Sequence, residues 1–369
     1  FDMVKLRASY SVVGNDIPAY YSKPVATLSG LTITLPTVMP FTDWKPEKTF
    51  SVEAGFDLAM IENRLHAEFT FYKANTKNQY FQVSAPVASG YSTRNINAGN
   101  IQNMGVEAAV SYRFDFGKDW SWTPGINFSY NENEIKELCP GLSEYNLASA
   151  SAFIMKLKKG GSYGDVYTYD FQYDENTGNI KLDENGAPLL TSDANTYAGN
   201  FNSKFRLGWS NSISWKNLNI YVLFDGKIGG KVLSMTEAIM DGYGVTPATA
   251  KARLNGGVPN KDGSLIDAEK YYSRVGGRSQ NAGFNAKEYI YSATNFRLRE
   301  LSVGYTFEDL FGEGKHLTAS VVGRNLFFLY KDAPCDPDIS GSTGNGWQGI
   351  DVFSLPSTRN WGLNLKFNF

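Results

Sequence analysis

The sequence predicts an all-β protein, a transmembrane antiparallel β-barrel to which these 369 residues contribute about ten strands. Three observations carry that expectation. Apolar and polar residues alternate with period two over segments of roughly 10 to 14 residues, about twice the length of an ordinary soluble strand. The connections between segments alternate between short and long. No apolar run exceeds Ile220-Tyr221-Val222-Leu223-Phe224, far short of the roughly 20 residues that a membrane-crossing helix needs. A tilted strand crosses the same layer with about 9 to 11 residues, and closure follows because lipid cannot satisfy an open edge.

The segments are read in chain order. A first strand is expected from Val4 to Val12. In the second, Phe50, Val52, Ala54, Phe56 and Leu58 oppose Ser51, Glu53, Gly55 and Asp57. Leu65, Ala67, Phe69 and Phe71 oppose His66, Glu68 and Thr70 in the third, and Val106, Ala108, Val110, Tyr112 and Phe114 oppose Glu107, Ser111 and Arg113 in the fourth. The strictest alternation runs from Trp120 to Asn131, with Trp122, Ile126, Phe128 and Tyr130 on the apolar side. Phe205 to Trp215 follows, then Leu218, Ile220, Val222 and Phe224 against Asn219, Tyr221 and Asp225. In Phe296 to Phe307 the apolar positions change parity between Leu298 and Leu301, which predicts a β-bulge around Arg299-Glu300 unless the strand begins only after them. Leu317 to Phe328 and the terminal Trp361, Leu363, Leu365, Phe367 and Phe369 complete the set.

Short connections fall at 61–63, 115–119, 216–217 and 308–315. Long ones fall at about 14–49, 79–103, 133–203, 230–293 and 331–356. Turns on one side and long loops on the other are the polarity of bacterial outer-membrane barrels, with turns in the periplasm and loops outside. The carboxy-terminus is then expected in the periplasm. No signal-peptide pattern occurs at Phe1 and the first residues already read as strand, so a preceding portion of the protein is expected outside this chain.

Composition narrows the function. With 35 Lys and Arg against 37 Asp and Glu, a net charge of -2 and no basic stripe, nucleic acid is not an expected partner. The only histidines, His66 and His316, lie near predicted periplasmic turns, away from the outer rim where a barrel enzyme would place a general base. Asp174 to Ile180 has the flavour of a Ca²⁺ loop but lacks a bidentate Glu at the twelfth place, and it reads better as a hairpin turn followed by a second at Glu184-Asn185-Gly186. Asp336, Asp338 and Asp351 are read as solvated loop carboxylates. Cys139 and Cys335 both fall in predicted outside loops, where a disulfide is permitted but not placed by sequence. No catalytic residue, metal site or cofactor is expected. Loop aromatics are the better binding candidates, since Tyr or Trp can stack on a sugar ring or an apolar side chain: Tyr163, Tyr167, Tyr169, Tyr243 and Trp347. The charges on the polar face, Lys5, Arg7, Glu53, Asp57, Glu68, Glu107, Arg113 and Arg324, are of mixed sign and are expected to pair with one another or with a plug.

Six ordered strings carry a family resemblance: Trp44-Lys45-Pro46-Glu47-Lys48-Thr49 with Glu53-Ala54-Gly55-Phe56-Asp57; Phe71-Tyr72-Lys73-Ala74-Asn75-Thr76-Lys77-Asn78; Asn97-Ala98-Gly99-Asn100-Ile101-Gln102-Asn103-Met104-Gly105-Val106-Glu107; Asn295-Phe296-Arg297-Leu298-Arg299-Glu300-Leu301-Ser302-Val303-Gly304-Tyr305; Gly323-Arg324-Asn325-Leu326-Phe327; and Leu355-Pro356-Ser357-Thr358-Arg359. Together they resemble the SusC-like family of TonB-dependent outer-membrane transporters of the Bacteroidetes. The resemblance implies a 22-stranded barrel with an internal plug, of which this chain is the C-terminal part without the plug. It implies active import of oligosaccharides or oligopeptides, a SusD-like surface lipoprotein as lid, TonB acting through the plug region, and a dimer of transporter-lipoprotein pairs as an arrangement to consider. The alternatives are a passive porin-type barrel and, third, an outer-membrane barrel hydrolase.

Overall fold

A computed structural model describes residues 1–16, 25–40, 44–97, 99–139, 142–276, 283–310, 312–339, 341 and 348–369. Ten long strands form one antiparallel meander: β1 (Met3–Asn15), β2 (Glu47–Met60), β3 (Leu65–Lys77), β4 (Asn100–Tyr112), β5 (Trp120–Glu137), β6 (Phe205–Trp215), β7 (Leu218–Ile228), β8 (Asn295–Phe307), β9 (His316–Lys331) and β10 (Asn360–Asn368). Each pairs with its sequence neighbours, and β1 and β10 form the two edges. A short strand at Phe114–Phe116 adds to β5.

Register makes the two faces continuous. On one face Val4, Leu58, Ala67, Val110, Ile126, Trp209 and Phe224 lie opposite one another across seven strands. Trp122, Ile213, Ile220, Val303, Val321 and Leu363 do so from β5 to β10. These side chains are open to the surroundings: Val110 is 49% exposed, Trp209 45% and Leu363 68%. A soluble sandwich would bury such a face against a second layer, whereas a barrel wall turns it toward acyl chains.

The other face is polar and carries ion pairs. Arg7 lies 2.8 Å and Lys5 3.6 Å from Asp57, and Arg324 lies 2.9 Å from Glu300. Arg113 pairs with Asp115 at 2.9 Å. The expected bulge is present: Leu223 pairs with Glu300 and Phe224 with Leu298, leaving Arg299 as the extra residue. The strand therefore starts at Asn295, ahead of the parity change.

The buried core is not between strands but in the connections. Phe153, Met155 and Val166 meet Leu233, Ala238, Val275, Phe284 and Tyr289, with Ile350 from a third connection. This cap has its own secondary structure. A four-stranded sheet is built from Glu144–Ser149, Ile154–Lys158, Asp165–Thr168 and Thr196–Asn200, and a three-stranded one from Ile290–Ser292, Lys231–Ser234 and Ile350–Asp351. Three eight-residue helices were not read from the sequence: α1 (Met235–Gly242), α2 (Pro247–Leu254) and α3 (Ala268–Val275). Their starts are nonetheless written locally. Ser234 accepts the Glu237 N–H, Thr246 and Thr249 form a reciprocal capping box with Pro247 in the first turn, and Asp267 accepts the Lys270 N–H at 3.0 Å.

Candidate functional site

Where the cap meets the polar face, two clefts of about 780 Å³ and 810 Å³ share Asn131, Phe201, Asn202, Ser203, Lys204 and Gln348 and so form one continuous recess. Its floor is made by the ends of β3 to β8 nearest the long connections. β5 runs on to Glu137, and this extension carries Asn131, Glu132, Asn133 and Glu134 up into the recess.

Tyr163 stands in that recess, held through its backbone. Its N–H donates to Asn133 Oδ1 at 2.6 Å, and its carbonyl accepts from Asn202 Nδ2 at 2.6 Å and Asn200 Nδ2 at 3.3 Å. Asp165 organises the same turn. One carboxylate oxygen accepts the Ser162 N–H at 2.8 Å, and the other accepts Asn200 Nδ2 at 2.8 Å and the Tyr197 hydroxyl at 3.4 Å. Burial of Asp165 is compensated by these donors, as a buried carboxylate requires. Tyr72 donates to Asn131 at 3.0 Å, Asn133 donates to Asn103 at 2.9 Å, and Lys204 faces Glu132 at 3.2 Å. The lining is thus rich in carboxamides and hydroxyls with three tyrosines, Tyr72, Tyr163 and Tyr197, a surface able to hydrogen-bond and stack on a polar oligomer.

The other sequence-selected aromatics lie elsewhere. Tyr167 packs edge-on against Tyr197 with centroids 5.5 Å apart, and the ammonium groups of Lys158 and Lys156 lie 4.5 and 5.5 Å from its ring centroid. Tyr169 covers Gly283, where a Cβ would collide with its ring. Tyr243 caps the end of α1 and is 63% exposed on the cap. Trp347 lies outside the described residues. The asparagines, Asp165 and Tyr197 were not selected from sequence. The strings Asn131-Glu132-Asn133-Glu134 and Asn200-Phe201-Asn202 were the available signal, as runs dense in carboxamides and carboxylates at the edges of a long connection.

A second cluster occupies the β6–β8 side of the recess. Asp225 receives Arg297 Nε at 3.0 Å and Arg299 Nε at 2.6 Å, the latter because the bulge turns Arg299 onto the same side as Arg297. Asp338 reaches in from the last long connection, contacting Arg297, Arg299 at 3.5 Å and Lys227 at 3.6 Å, while Asp336 lies 3.7 Å from Arg297. Asp336 and Asp338 are therefore ion-paired and not merely solvated. Asp351 is buried in the three-stranded sheet of the cap.

Asp174 Oδ1 accepts the Asn176 and Thr177 N–H groups at 3.0 and 2.9 Å, and Tyr173 bridges Ile180, so the hairpin reading is the one observed. The second hairpin closes by pairing of Leu182 with Pro188. Both cysteines are free, and burial, with Asp351 adding to it, pushes the Cys335 thiol up to about 11.

The description "TonB dependent receptor-like, beta-barrel" matches residues 1–326. The chain is 25% identical over 406 residues to TonB-dependent receptor P3 of Formosa agariphila, covering 98% of this chain and 39% of that protein. It is 23% identical over 343 residues to TonB-dependent receptor SusC of Bacteroides thetaiotaomicron, covering 88% of this chain and 32% of that protein. Among solved structures, the RagAB peptide importer in its open-open state superposes with a TM-score of 0.74 at 21% identity, over 99% of this chain and 40% of that one. The chain thus spans about two fifths of the length of the first of these relatives.

Proposed function

Since this chain belongs to the TonB dependent receptor-like β-barrel family, we propose that it forms the C-terminal wall and the substrate-facing cap of a SusC-like outer-membrane importer. The cargo in this reading is an oligosaccharide or oligopeptide, the long connections face the cell exterior, and the carboxy-terminus lies in the periplasm. A SusD-like surface lipoprotein would close over the cap, and TonB would act through a plug region outside this chain. A peptide cargo has the support of the RagAB peptide importer, whose fold this chain shares.

The observation that carries the reading is the position of the recess. It lies on the polar face, under a folded cap, at the end of the sheet from which every long connection leaves. A recess there meets material coming from outside before anything deeper in the lumen does. Of the aromatics chosen from sequence, Tyr163 is the one expected to touch cargo.

The test is uptake by cells carrying the full-length transporter with its lipoprotein, using fluorescent oligosaccharide and oligopeptide pools. Uptake that requires an energised inner membrane and falls when Tyr163→Ala is introduced agrees with the proposal. Equal uptake with and without proton-motive force, together with a steadily open conductance in planar bilayers, would establish a passive porin instead. Hydrolysis of the pools by purified protein would establish the enzyme alternative.

A further inference from the structure

The cluster on the β6–β8 side of the recess is unbalanced in a way that a purely structural ion network is not. Arg206 of β6 and Lys227 of β7 are direct cross-strand partners, both on the polar face and both lining the recess. Like charges placed directly opposite destabilise a strand pair. Among the described residues no carboxylate lies within ion-pair distance of Arg206. Its other cross-strand partner is Ser129, and Glu107 lies one strand beyond that, roughly 10 Å away along the sheet. Among the described residues Lys227 has one carboxylate within ion-pair distance, Asp338, at 3.6 Å.

Asp225, the carboxylate that the strands themselves supply, is already engaged by two guanidinium groups through the bulge. That leaves Asp338, on a connection and not on a strand, serving Lys227, Arg297 and Arg299 at once. With the loop carboxylates Asp336 and Asp338 withdrawn, Arg206, Lys227, Arg297 and Arg299 would face Asp225 alone. The strands supply these four cations with one carboxylate, and a connection lends two more.

We propose that Arg206, Lys227 and Arg299 form an anion subsite that receives a carboxylate of the imported oligomer, and that Asp338 is the resident carboxylate which the cargo displaces. The inference rests on the import reading and deepens it by assigning a charge to the cargo. The geometry suits a carboxylate because Lys227 and Arg299 already reach one, Asp338, at 3.6 and 3.5 Å, and Arg206, directly opposite Lys227, lines the same cleft. Displacement of Asp338 would also release the connection that carries it, so that binding and loop movement are one event.

The experiment measures binding by calorimetry to the full-length transporter purified in detergent, its folding checked by heat-modifiable gel mobility. Four probes are compared: tri-galacturonate and its methyl ester, and a tetra-glutamate peptide and its tetra-glutamine counterpart. In one arm the carboxylate probe is expected to bind on the order of tenfold tighter than its neutral partner, and that arm identifies the polymer. Arg206→Gln with Lys227→Gln should abolish the preference, bringing the carboxylate probe to the affinity of its neutral partner. Asp338→Asn should tighten the carboxylate probe several-fold, because the competitor is gone. A loop latch without an anion site predicts no such gain. Equal affinities within both arms, or no carboxylate binding to Asp338→Asn protein, would overturn the subsite. The import reading would then still be judged by the separate uptake experiment.

Discussion

Two backbone positions show how single residues set the wall. Gly105 of β4 lies beneath Tyr72, and a Cβ there would collide with the Tyr130 carbonyl oxygen and sit 2.5 Å from the Tyr72 hydroxyl, the group that donates to Asn131. Overpacking such a site costs about 1–3 kcal/mol, so Gly105→Ala is expected to lower the unfolding free energy of the barrel by about that amount, read as a lower denaturant midpoint, and to free Asn131 into the recess. An unchanged midpoint would mean that Tyr72 moves aside without cost. The turn between β2 and β3 places Ile61, Glu62 and Asn63 all in the left-handed region, at φ of 59°, 56° and 58°. Non-glycine residues pay roughly 1–2 kcal/mol each there. Glu62→Gly should therefore raise the unfolding midpoint, with a gain in stability of about 1 kcal/mol after the entropy that glycine adds to the unfolded chain. A lower midpoint would show that the Glu62 side chain contributes more than the backbone strain takes away.

At the level of strands and hairpins, the apolar faces make the clearest demand. Val110 and Val222 lie on the face assigned to lipid, and Val110→Arg or Val222→Lys is expected to cost about 2–4 kcal/mol if the side chain sits near mid-bilayer. Normal yields of heat-modifiable barrel for both variants would contradict that assignment. These faces were legible in the sequence because period two survives across about a dozen residues in segments such as Trp120 to Asn131. The parity change at Leu298-Arg299-Glu300 was equally legible, since one extra residue leaves a permanent mark on the pattern. The cap was not. Its helices are eight residues long, too short for a 3.6-residue period to stand out, and their burial comes from contacts with segments some 80 residues away in sequence, such as Val275 with Ile350. The recess was half legible: Tyr163 was chosen for its chemistry, while Asn133, Asp165 and Asn202 matter for where the fold brings them. The hairpin at Asp183 adds a pH prediction. N–H groups of Ala187 and Asn185, and Arg274, hold its carboxyl below the ordinary aspartate value. Its stabilising contribution is therefore complete above about pH 3.9 and lost as pH falls through the lower folded value. Hydrogen-exchange protection at 183–187, corrected for intrinsic rates, should fall below pH 4, and Asp183→Asn should remove that dependence. Protection that is unchanged down to pH 2 would count against it.

For the whole molecule, the distribution of burial is inverted relative to a soluble domain: ten strands show their apolar side chains outward, and the packed interior is in the connections. The two parts are held by different solvents, lipid for the wall and water for the cap. Phe153→Ala, at the centre of the cap, should cost about 3–5 kcal/mol and open the cap to trypsin while the wall keeps its resistance to detergent. Simultaneous loss of both would show that they melt as one unit. The cap interior has a further consequence for biogenesis. Phe153, Leu233 and Ile350 come from three separate connections that pack into one core. A wall lacking any one of these connections would leave the other two with an unfilled apolar face, so the cap is expected to gain its resistance to trypsin as a single step, once all three are in place.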